Sequence, residues 1–135
     1  MFVIGSLVNA CLLVAALSIE WRAGLVVAAC TPVFAWLEGM LPFLPFVFPV
    51  AAGNMVYVLA AAALSHSQGL RGLYLAAVAK AIALYSLFYL LFACVEFPLA
   101  VRHVLLFAMS WPQLVTGLIG ATLGYYLVRF LKKKG

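Results

Sequence analysis

Apolar residues run along this chain in long blocks separated by short polar interruptions. An α-helix needs about 20 mostly apolar residues to cross a hydrocarbon core of roughly 30 Å. Five segments meet that need, at about 2–18, 23–39, 43–65, 71–95 and 111–131, the second only just. Their separators are "IEWRAG", "EGMLP", "SHSQGLRG" and the stretch from Glu96 to Ser110. Pro49 falls inside the third segment, where its missing N–H is expected to kink the helix and free the carbonyl of Pro45. Between the fourth and fifth segments, a helix from Pro98 to Ala108 rises only about 16 Å at roughly 1.5 Å per residue. The pattern predicts an all-α, polytopic helical membrane protein with five transmembrane helices and a short re-entrant or interfacial helix. A short tilted sixth span is the alternative.

Composition agrees with that reading. Of 135 residues 69% are hydrophobic and only 8% charged, with a mean hydropathy of +1.24; a soluble domain places about 25% of its residues in the charged class. Residues 1–135 are therefore read as a single integral membrane domain. The net charge of +5 does not signal nucleic acid, because the basic residues form no patch with interleaved aromatics. They sit at helix ends instead. With the first helix starting outside, Arg22, Arg71, Arg129, Lys132, Lys133 and Lys134 all fall on the cytoplasmic side. Only Arg102 falls outside, near His103, Glu96 and Glu38. A multi-pass protein of a bacterial inner membrane with a cytoplasmic C-terminus is the expectation.

The polar residues within the spans follow a rule. At about 100° per residue, Gln113, Thr116, Gly117, Gly120 and Gly124 share one face of the last helix. Leu114, Val115, Leu118, Ile119, Thr122 and Tyr126 take the other side, which is expected to meet lipid. Gly120 and Gly124 form a GxxxG pair that admits a close neighbour, within the chain or from another. Asn9 shares its face with Gly5 and Ala16, Asn54 with Ala61 and Ser65, and Lys80 with Ala76 and Ala83. Each polar group thus lies on the small-residue side of its helix, which describes a polar interior.

Lys80 is the most telling of these. A lysine at mid-bilayer costs about 2.5–3.5 kcal/mol on insertion scales and so has a partner or a function. The partner reading offers Asn9, Asn54 or a carbonyl freed by Pro49; the functional reading faces the amine toward an anionic or carbonyl-bearing ligand. Other features have plain structural explanations. Ser110 and Gln113 have the spacing of a capping box, with Pro112 in the first turn and Trp111 at the interface. Glu96 and Arg102 read as solvated loop charges, and Tyr74, Tyr85 and Tyr89 as a packing stripe. Cys11, Cys30 and Cys94 read as small buried side chains, without the spacing of a zinc or redox centre. No metalloprotease motif, phosphate loop or nucleophile–His–carboxylate set is evident, so neither enzymatic activity nor a cofactor or metal is expected.

"TP" (Thr31–Pro32), "EGMLP" (Glu38–Pro42), "PVAAGN" (Pro49–Asn54), the Lys80 helix and "SWPQLVTGLIG" (Ser110–Gly120) together resemble the small S components of energy-coupling-factor (ECF) transporters. Those are substrate-binding membrane subunits for vitamins and metal ions. The resemblance implies a small-molecule pocket toward the outer face, capped by loops, with no chemistry performed. Asn54, Lys80, Trp111, Gln113 and Thr116 become its pocket candidates, and Glu38 a member of a gating loop. It also implies docking onto a transmembrane coupling subunit powered by two ATPases. Alanines spaced by four, which often serve that docking on the family's first helix, are found here on the fourth, as Ala77/Ala81 and Ala79/Ala83. The rival function is a membrane scaffold subunit of an envelope or cell-shape assembly with a similar fold, in which inward polar residues only hold helices together.

Overall fold

Long apolar runs with few internal breakers leave the backbone to satisfy its own hydrogen bonds, which only helices do within one segment. The computed structural model describes residues 2–134, and among them there is no strand. Helix α1 spans Phe2–Val14 and ends in a π-helical turn, Ala15–Ile19. Helix α2 spans Trp21–Leu37, and a 3₁₀ turn at Leu44–Phe46 leads into α3, Val47–Gln68. Then come α4 at Leu70–Cys94, the short α5 at Leu99–Ala108, and α6 at Trp111–Lys134. Among the described residues, three stretches are long and apolar enough to cross a membrane: Leu44–Gln68, Leu70–Cys94 and Leu99–Lys134. The α1 and α2 helices are apolar but shorter.

The helices close around one another. α3 packs on α4, α4 on α6, α6 on α1, and α2 on α3, while α5 bridges the ends of α4 and α6. Gly69 makes the α3–α4 turn with φ +58°, a conformation that an L side chain rarely adopts. One core cluster joins Leu12, Leu13, Tyr57, Val58, Leu73 and Ala77. At the other end Phe46, Leu84, Phe88, Phe92 and Met109 form a second, to which Phe97 adds its ring against Phe46 and Phe92.

Close helix crossings need small residues at the contact, and the glycines of α6 supply them. A Cβ built on Gly117 would lie 3.0 Å from the Cβ of Ala77. On Gly120 it would lie 2.4 Å from the Cβ of Asn9, and on Gly124 2.9 Å from that of Leu13. The GxxxG face therefore receives α1 of the same chain.

Several expectations are corrected. Pro49 stands in the first turn of α3, where its missing N–H needs no partner, so it kinks nothing. The proline inside a helix is Pro32, in α2. All three cysteines are exposed, on outward faces of α1, α2 and α4. Leu118 packs on the first core, and Thr122 exchanges a 2.8 Å hydrogen bond with Tyr74, so neither is on the outward face of α6. Ser110 donates its hydroxyl back to the Phe107 carbonyl, in place of the forward cap. Arg102 is no solvated loop charge: it is half-buried and donates from Nη2 to the Phe92 carbonyl in the last turn of α4. Glu96 is exposed, as are Tyr85 and Tyr89 of the tyrosine stripe.

Replacing Gly120 by Ala is expected to destabilise the protein by about 1–3 kcal/mol, because Asn9 cannot retreat without moving α1. The exposed Ile119→Ala should stay within about 0.5 kcal/mol of the parent. Denaturant unfolding in detergent compares them; equal losses would contradict the close crossing.

Candidate functional site

Five helices contribute one polar side chain each to a cavity of about 200 Å³: Asn9 from α1, Thr31 from α2, Asn54 from α3, Lys80 from α4 and Gln113 from α6. Met40, Leu41, Val50, Leu84 and Met109 supply its apolar wall, at the end of the second core cluster. Among the described residues, none that lines it is a carboxylate, histidine or cysteine.

Lys80 is placed here because it follows Ala76 and Ala77 on the inward side of α4, and only 4% of it is exposed. Its Nζ donates to Oδ1 of buried Asn9 across the α1–α4 space. The same nitrogen lies 5.3 Å from the ring centroid of Tyr57, within cation–π range. Tyr57 in turn donates its hydroxyl to the Gly117 carbonyl at 3.3 Å. An ammonium carries three donors. Asn9 takes one, which leaves donor capacity on the cavity side.

Asn54 answers a different need. Pro32 has no N–H to return to the carbonyl four residues back, so the Ala28 carbonyl is left open inside the bundle. The Asn54 amide donates to that oxygen at 3.4 Å and to Oγ1 of Thr31 at 3.2 Å. A carbonyl freed by proline and met by an asparagine thus exists, on α2 and not at Pro45.

The other candidates lie apart from the cavity. Glu38 is exposed and closes α2, its backbone N–H bonded to the Phe34 carbonyl. Trp111 is 54% exposed, its ring edge-on to Phe107 at 5.8 Å, beside an outward groove between α4 and α6. Thr116 is buried against Gly5 where α1 crosses α6, its hydroxyl donating to the Gln113 carbonyl at 3.1 Å. Ala79 and Ala83 are half-buried, whereas Ala76 and Ala77 make the tight core contacts. Thr31 was visible in the sequence only as half of a Thr–Pro pair; a proline within an apolar span is the signal that points to it.

No protein-family model, curated protein or solved structure matches this chain. The site therefore rests on its own geometry.

Asn54→Leu is expected to cost about 1–3 kcal/mol, since it strands the buried Ala28 carbonyl. Pro32→Ala restores an N–H for that oxygen, so in the Asn54→Leu background it should recover about 1 kcal/mol. A double-mutant cycle on unfolding free energies measures this; strict additivity would contradict the pairing.

Proposed function

We propose that this chain is the membrane-embedded capture subunit for uptake of a small solute, working with a transmembrane coupling subunit and its ATPases, as the resemblance to ECF S components implies. The observation that carries the reading is the convergence of Asn9, Thr31, Asn54, Lys80 and Gln113 on one cavity. In this reading α1 with its π turn and α2 are the remaining two of five spans, α5 is interfacial, and the basic end of α6 faces the cytoplasm. The aromatic cluster then lies toward the outer face. Pro32, inside α2, borders the cavity, the kind of helix discontinuity at which transporters hold their solutes.

The chemistry of the wall narrows the solute class. A cation with amide and hydroxyl neighbours, without a carboxylate or imidazole, suits an organic anion better than a metal ion. A cavity of about 150 Å³ holds benzene, so about 200 Å³ admits a single ring with a carboxylate. One observation favours the scaffold reading: Lys80 and Asn54 already hold partners within the chain. The two readings part on whether anything but protein occupies the site.

Mass spectrometry of small molecules extracted from protein purified in mild detergent tests the proposal. The parent should carry a carboxylate-bearing solute. Lys80→Met and Gln113→Leu should each lower its occupancy about tenfold or more, the loss of one charge-assisted or buried polar contact, while both remain folded. No solute in the parent, with altered unfolding alone in the variants, would leave the scaffold.

A further inference from the structure

The opposite end of the bundle holds a second and larger cavity, of about 370 Å³. It lies where α3 ends, α4 begins and α6 ends, so it opens at one terminus of all three stretches long enough to span. Its charged lining is Arg129 and Lys132 from α6 and Glu20 from the turn after the π helix; Ser65 and His66 add polar groups from α3. The π turn at Ala15–Ile19 widens the end of α1 there, so that Ala16 and Leu17 become wall. Such turns recur at functional sites.

Among the described residues the charges in this cavity do not neutralise each other. Arg129 stacks over the Tyr125 ring at 5.9 Å, which fixes the guanidinium without using its hydrogen-bond donors. Neither Lys132 nor Glu20 has a side-chain partner among them. Two permanent cations against one carboxylate favour an anion. The apolar floor and Trp21, an aromatic suited to a membrane interface, place that anion at headgroup depth. Glu20 then favours a head that donates a hydrogen bond beside its phosphate.

The geometry points to a binding site for a phosphate diester at the basic end of the bundle, with Arg129 and Lys132 holding the phosphate and Glu20 accepting from a hydroxyl of the head. A glycerol-headed phospholipid carries all of these groups; a soluble phosphate ester carries the same anion without acyl chains. Basic pockets at helix ends are where membrane proteins take anionic headgroups. This site is independent of the solute cavity.

Native mass spectrometry of the full chain released from nanodiscs tests it. With phosphatidylglycerol in a phosphatidylcholine background, the parent should retain phosphatidylglycerol preferentially. Arg129→Gln with Lys132→Gln should reduce that retention about tenfold, whereas Lys133→Gln with Lys134→Gln, outside the cavity, should leave it within about twofold. A parallel titration with inorganic phosphate, followed by thermal unfolding, identifies the source. Stabilisation that the Arg129 and Lys132 changes abolish supports the site with a soluble occupant. Equal retention of both lipids without a phosphate effect, or equal losses in the two double variants, overturns it.

Discussion

A primary amine enclosed among apolar helices must be met by polar groups, and that requirement organises this molecule. Lys80 sits near the middle of a 25-residue helix, almost wholly buried. Its nitrogen is met from two directions, by the Asn9 amide on α1 and the Tyr57 ring on α3. Tyr57 anchors itself on the backbone of α6. Four helices are thereby tied to one side chain, and their crossings are set by how near they must come to serve it. Gly120 shows the dependence: without a Cβ on α6, Asn9 is brought close enough to reach across to α4.

A second constraint has the same form. Pro32 opens a backbone carbonyl inside the bundle, and Asn54 closes it. Both devices leave polar groups on the same cavity wall, so the features that hold the helices together also line the cavity. The far end of the bundle behaves differently. There the charges sit at the mouths of helices, and an apolar floor separates them from the interior.

Much of this was legible in the sequence because polar residues inside long apolar runs are expensive to bury and therefore directional. The helix positions followed from lengths of apolar run, and the inward faces of Asn9, Asn54, Lys80 and Gln113 from helical period; the structure brings these four onto one wall. What was not legible depended on offsets of a few residues. Pro49 and Pro32 look alike in an apolar run, but one falls in a first turn and the other deep in a helix. Glu38, Trp111 and Thr116 belong to the right segments and lie apart from the cavity, because a turn or a crossing carries them off. Arg102 reads as a loop charge until α5 folds back and lays it against the end of α4. Cysteine outside the core has no periodic signal against such an apolar background.

The central claim is that the space around Lys80 is an occupied polar site. The most direct measurement is a crystallographic or cryo-electron microscopy map of the protein taken from its native membrane. A compact non-protein density between Lys80 Nζ, Asn54 and Gln113 is the expected result. Side chains closed over that space, with the amine bonded to Asn9 alone and no density beside it, would contradict the account.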